Sequence, residues 1–276
     1  MVNRKRGMLK DNSERNGSAV DPIYGGGDYF ADPQRHSEDA RFKASCFLKL
    51  FVPLIQRYGW DIHSYVDVGC GSGDLVRLVS GELREAGSTL DVVKGYDVSA
   101  HVAKLQAETI EYVHADFAHS DQHVDLVTLF DVFEHVVSPI DFLKNIASRS
   151  SVVALHIPLD NSVNNALRDK FRKLLRQPGH LLFMDSADAL NICNLAGLRV
   201  ITYEYTFGFI APSGHRSLLA KIAYPIRLLM SRVSPWLMSK TVGGASLLVI
   251  ALTPIGVRNK RWNACVLPGN VSGSGY

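Results

Sequence analysis

Between residues 64 and 157 the chain alternates two patterns: short runs of Val, Ile, Leu and Tyr, and longer segments whose apolar residues return every three or four positions. The first pattern reads as strands and the second as amphipathic helices. Strands are expected at 64–69, 91–97, 110–114, 123–130 and 151–157, and helices at 73–86, 99–108, 138–148, 161–176 and 186–196. Upstream, Phe42, Cys46, Phe47, Leu50, Phe51 and Leu54 predict a helix from Ser37 to Tyr58, kinked or divided at Pro53. Downstream, Leu198–Thr206 and Ala245–Thr253 supply two more strands. Such alternation dictates right-handed crossovers and an α/β fold, a mostly parallel sheet covered by helices on both faces.

The last two strands are separated by residues 207–243, a long connection that needs a function of its own. Within it Leu218, Leu219, Ile222, Ala223, Ile226, Leu229, Met230 and Val233 share an arc of roughly 140°. Arg216, Lys221, Arg227 and Arg232 lie outside or at its margins, and Pro225 is expected to kink or split the helix. The uncharged run Thr241–Val257 is 17 residues long and holds Gly243, Gly244 and Pro254, so a buried strand explains it better than a membrane span. Residues 1–35 read as a tail and a loop, Tyr24–Phe30, whose aromatics fold over the site; 36–255 form one domain, and 256–276 a C-terminal tail.

Composition adds limits. A hydrophobic content of 46% suits a sizeable core, and the four cysteines lie far apart without metal-ligand spacing, which fits a reducing compartment. Met1–Lys10 is basic but lacks the apolar core of a signal peptide, so a cytoplasmic location is expected, at the inner membrane face if the insertion meets lipid. The net charge of +3 conceals an asymmetry: after Glu204 there is no Asp or Glu, only basic residues. An anionic surface or substrate, or simply a solvated basic face, accounts for that.

Val66-Asp67-Val68-Gly69-Cys70-Gly71-Ser72-Gly73 is a strand, a tight turn and a helix start, an arrangement that turns backbone N–H groups toward a ligand. Dinucleotide sites require G-x-G-x-x-G, whereas here the third glycine, Gly73, comes one residue early. Asp67 and Asp74 flank the turn and would repel a pyrophosphate, but suit a ligand with an ammonium group, such as S-adenosylmethionine; Asp74 also faces the helix dipole. Asp97 ends the second strand, where a carboxylate accepts the ribose hydroxyls. Asp116 and Phe117 follow the third strand, suiting the adenine amino group and ring, and Phe130–Val136 follows the fourth.

This set of motifs resembles the class I S-adenosylmethionine-dependent methyltransferases over roughly residues 40–255. The resemblance implies a Rossmann-like seven-stranded sheet with its last strand antiparallel. It also implies that Gly69, Gly71, Gly73 and Asp67 hold the methionine end, Asp97 and Val98 the ribose side, and Asp116 with Phe117 the adenine, with Asp131 and Phe133 near the methyl group. A narrower similarity, through His156–Asp160, Gly179–Phe183 and Gly243–Leu248, is to bacterial methyltransferases of cell-surface glycan biosynthesis within the ubiquinone-biosynthesis-like group.

Methyl transfer to a hydroxyl needs a base, and His156, His135 and His180 all fall near strand ends or loops on the cofactor side. His156 is the first choice and His135 the second; no metal is expected. The leading reading is O-methylation of a sugar or lipid-linked glycan, with residues 216–240 touching an anionic membrane or closing as a lid. A quinone or other small aromatic acceptor is the alternative, and a non-catalytic S-adenosylmethionine-binding subunit a third. Nucleic acid is not an expected partner, because the basic residues lie among Leu and Ile rather than among stacking aromatics. The oligomeric state is not legible.

Overall fold

A computed structural model describes residues 33–211, 218–259 and 261–262. The expected aromatic loop at Tyr24–Phe30 lies outside the described residues, as do Arg216, Lys260 and Cys265. The elements are α1 (Pro33–Tyr58), β1 (Ser64–Val68), α2 (Asp74–Glu85), β2 (Val92–Asp97), β3 (Glu111–His114), β4 (Val124–Phe130), α3 (Pro139–Ala147) and β5 (Ser150–Leu159). There follow α4 (Val163–Leu167), α5 (Lys170–Arg176), α6 (Ser186–Leu195), β6 (Arg199–Phe207), α7 (Leu218–Val233), α8 (Pro235–Thr241), β7 (Ala245–Leu252) and α9 (Pro254–Arg258).

The seven strands form one sheet in the order β3-β2-β1-β4-β5-β7-β6, parallel except for β7, which is antiparallel to both neighbours. Side chains on a strand alternate between faces, so each central strand feeds two cores. Val127 and Leu129 of β4 join Leu143, Ile146, Ala189 and Cys193 of α3 and α6 on one face. Leu126 and Phe130 join Phe47 and Phe51 of α1 and Val76 and Val79 of α2 on the other. This is why the strands read as near-continuous apolar runs.

Three expectations about elements change. Residues 99–108 form no α-helix but a 3-10 turn, Ala100–Lys104, with the Ser99 side chain accepting from the His101 N–H. The expected helix 161–176 breaks into α4 and α5 at Asp169, whose φ of 47° is left-handed. Pro53 and Pro225 each lie inside a continuous helix, so neither divides its helix in two. At the C-terminal end, Trp262 is fully buried and meets Trp60 edge-on at 5.3 Å, so the folded unit extends past residue 255.

β1 lies between β2 and β4, and their crossovers leave on opposite sides. At such a reversal of strand order the loops diverge and leave a crevice beyond the carboxyl ends of the strands. The site lies there.

Candidate active site

The turn after β1 is held against β2: the N–H groups of Gly69 and Cys70 both donate to the Tyr96 carbonyl, at 2.8 and 3.0 Å. Gly69, Gly71 and Gly73 all have positive φ (75°, 52° and 77°), where a side chain is strained. Crowding adds to this. A Cβ on Gly69 would stand 2.5 Å from Val132 Cγ2, and one on Gly73 would stand 2.5 Å from the Tyr112 hydroxyl. At these two glycines the protein's own side chains fill the space that sequence reasoning assigned to ligand.

A cavity of about 450 Å³ opens over this turn and is walled by the ends of β1, β2 and β4 and the loop after β3. Asp97 is fixed by two backbone donors, Gly71 N–H to Oδ2 at 2.8 Å and Ser99 N–H to Oδ1 at 2.7 Å. Those bonds preorganise a carboxylate with lone pairs left for hydroxyl protons. Asp116 accepts from the Ala118 N–H at 2.9 Å and pairs with His119, and Phe117 behind it packs edge-on to Tyr96 at 5.1 Å. Val98, Asp116, Phe117 and Asp131 all line the wall, as do Asp67, Gly69 and Gly71. Gly73 and Phe133 are not on it: Gly73 faces Tyr112, and Phe133 is fully buried in the core.

Asp67 tests the fit of a cationic ligand. Its side chain is 1% exposed; Oδ1 accepts from the Thr128 hydroxyl at 2.5 Å, while Oδ2 is buried with no hydrogen-bond partner. Burial pushes its pKa up to about 7, against the opposing Thr128 bond and with help from the charge of Asp97. An unpartnered buried carboxylate oxygen is expensive, and a ligand ammonium group would satisfy it. The residues therefore fit S-adenosylmethionine.

Asp131 adopts φ 56° at the end of β4, its N–H still bonded to the His156 carbonyl at 2.9 Å. Its carboxylate bridges Lys43 Nζ (2.5 Å) and His156 Nδ1 (2.6 Å), and Lys43 also pairs with Asp39. Burial alone would raise the Asp131 pKa, but Lys43 and then His156 hold it well below the carboxylate range. Burial likewise opposes the Lys43 ammonium, yet Asp131 and Asp39 carry its pKa above the ordinary lysine value. Lys43 was missed in the sequence. Its signal is a lone cation in the row 43–47–51, in register with Phe47 and Phe51 on the buried face of α1.

His156 is 3% exposed and does not line the cavity; Nδ1 meets Asp131 and Nε2 meets the Thr206 hydroxyl at 2.8 Å. Both ring nitrogens are used, so this histidine, expected as the base, is placed to orient Asp131. His135 does line the cavity, and its Nδ1–H donates to the Gly179 carbonyl at 3.0 Å. A carbonyl can only accept, so in the neutral ring the lone pair sits on Nε2, 3.6 Å from Glu134 Oε1. Glu134 is fully buried with both oxygens unbonded, and burial raises its pKa well above the usual glutamate value. His180 is tied to Asp160 at 2.5 Å and packs edge-on to His135 at 4.9 Å. Glu134, His135 and His180 bring ligand atoms within 4.8 Å of one another, the one such group found among the described residues.

Residues 30–203 match the model of the methyltransferase domain family. The protein solved in complex with the Trm112 methyltransferase activator of Haloferax volcanii superposes with a TM-score of 0.55 at 17% identity, covering 84% of this chain and 97% of that one. Magnesium protoporphyrin IX methyltransferase of Synechocystis PCC 6803, solved with bound S-adenosylhomocysteine, gives 0.51 at 16%, covering 84% and 100%. Among curated proteins, the mitochondrial ubiquinone biosynthesis O-methyltransferase of Arabidopsis thaliana is 31% identical over 93 residues, 30% of this chain and 28% of that protein. The chain thus matches under a third of that relative's length. The family match spans most of the sheet and its strand-end carboxylates, and with it the chain belongs to the methyltransferase domain family, with S-adenosylmethionine as its cofactor.

Proposed function

We propose that this methyltransferase transfers the methyl group to a hydroxyl of a sugar or lipid-linked glycan, with His135 as the base. The observation that supports this most is the place of His135: an imidazole that lines the cavity and is held there by its Nδ1–H on the Gly179 carbonyl. Beyond it the wall continues through Ser138, Asp141 and Asn145, a hydroxyl, a carboxylate and an amide suited to sugar hydroxyls.

When bound, the cofactor supplies an electrophilic sulfonium methyl group. The residues do the rest. Asp97 and Asp116 would hold the cofactor's nucleoside end and Asp67 its ammonium group. His135 is the group placed to take the proton of the acceptor hydroxyl as that oxygen receives the methyl group. Lys43 and His156 hold Asp131 and thereby the wall beside the turn.

A quinol acceptor is the second reading, favoured by the similarity to the ubiquinone O-methyltransferase. A screen with labelled cofactor over nucleotide sugars, lipid-linked glycans and quinols separates the two. Label on a glycan is expected; label only on quinols would reverse the order. His135→Gln should lower kcat by roughly 100-fold with cofactor affinity unchanged, within the usual range for a lost general base. Unaltered turnover in that variant would remove His135 from the mechanism. Calorimetric binding of the cofactor with no transfer to any acceptor would favour a non-catalytic subunit.

A further inference from the structure

Eight of the fourteen large apolar side chains left exposed among the described residues lie on α4, α5, α7 and α8. Single exposures are ordinary, but a concentration on adjoining helices is a patch. These helices do adjoin: α4 packs on α5 and α8, and α8 on α7, with Asn164 of α4 bonded at 3.1 Å to the Val242 carbonyl just past α8. On α7, Ile226, Leu229 and Val233 are 63%, 63% and 75% exposed at the spacing of one helical stripe, whereas Met230 turns to the core. Trp236 and Leu237 of α8 are also exposed, and Leu167 at the end of α4 is 83% exposed.

The charge around this patch has one sign. From 161 to 180, Arg168, Lys170, Arg172, Lys173 and Arg176 face a single acid, Asp169, and α7 and α8 bring cations with no acid at all. Arg172 pairs with Asp169, and Lys240 with Asp185. Arg168, Lys173, Arg176 and Arg232 are exposed and make no ion pair among the described residues.

We propose that the face formed by α4, α5, α7 and α8 docks into the headgroup layer of an anionic lipid bilayer. The aliphatic stripe and Trp236 enter the acyl boundary, and the arginines and lysines around them meet lipid phosphates. A phosphate polymer would engage the cations but leave Leu, Ile and Val in water; a bilayer satisfies both. No helix of the described residues is long and apolar enough to cross a membrane, so this contact lies along the surface.

The docking face and the cavity share a segment of chain. The stretch that follows α5 bonds to the wall: Gly179 accepts from His135, and the N–H groups of Leu181 and Leu182 donate to the Glu134 carbonyl at 2.9 and 3.2 Å. Docking therefore brings the acceptor side of the cavity close to the lipid. The inference deepens the lipid-linked glycan reading and rests on it for its purpose, though not for its test.

The test is co-sedimentation of the full chain with vesicles of phosphatidylcholine, with and without phosphatidylglycerol. Binding to the anionic vesicles alone is expected, weakening as salt is raised. The triple change Arg168→Gln, Lys173→Gln and Arg176→Gln should lower the partition on the order of 100-fold, from the contribution of each cation near an anionic surface. Leu229→Asp should lower it by at least about tenfold, through the lost apolar burial. Absence of binding to anionic vesicles, or binding that both variants leave unchanged, would overturn the proposal. So would capture of an RNA oligonucleotide without vesicles, or a lipid-free dimer that Leu229→Asp dissolves with no vesicle binding. Cofactor calorimetry on the same preparations verifies folding. A chain that binds vesicles but methylates no glycan would refute the acceptor reading and leave the docking face standing.

Discussion

Asp67 and Asp97 differ in how they are held, and the difference is measurable. Asp97 already has two backbone partners, so its task is to accept further protons; Asp97→Ala should weaken cofactor binding about 10- to 100-fold by calorimetry while the far-ultraviolet spectrum stays native. Asp67 has an unpartnered oxygen and a pKa raised from 3.8 to about 7, which makes its effect pH-dependent. The folded, ligand-free protein binds this proton more tightly than the unfolded chain. Stability from this group is therefore present below about pH 4 and lost as pH rises to about 7. A ligand ammonium favours the ionised form, so cofactor affinity should rise from pH 5 to about 7, up to tenfold per unit, and Asp67→Asn should flatten the slope. The strand-end carboxylates were legible in the sequence because each follows an apolar run. The partnership of Lys43, Asp131, His156 and Thr206 was not, because it joins residues from α1, the turn after β4, β5 and β6 that only the fold brings together.

At the scale of elements, the glycine turn couples conformation to packing. Gly69→Ala meets both a positive φ and Val132 Cγ2, and should cost about 2–4 kcal/mol in urea titrations. Adding Val132→Ala relieves the clash but not the dihedral, so partial rescue is expected; full rescue would show that φ contributes nothing. Strands and long helices were legible because their period is dictated by burial on one face or two. The break between α4 and α5 was not. Asn161–Arg176 keeps helix-forming residues on both sides of Asp169, and neither Gly nor Pro marks the left-handed residue between them. Likewise, apolar spacing alone could not reveal that part of the α7 stripe faces outward, because periodicity identifies a stripe and not what covers it.

For the whole molecule, the two faces of the sheet are closed by different parts of the chain, and the last described residue belongs to the closure. Trp262 stands 0% exposed against Trp60, which itself follows α1. Trp262→Ala should destabilise the domain by about 3–5 kcal/mol, read as a lowered urea midpoint. Its place in the core was unreadable because the polar stretch before it, Arg258-Asn259-Lys260-Arg261, resembles the start of a tail.

The same arrangement divides the protein's intrinsic fluorescence. Of its three tryptophans, Trp60 and Trp262 form a buried pair, while Trp236 is 52% exposed on the helical face. Emission from the pair reports the integrity of the fold, and emission from Trp236 the polarity outside it. On addition of anionic vesicles the red edge of the spectrum should shift to shorter wavelength while the buried component holds still, so that one cuvette separates docking from unfolding without any label.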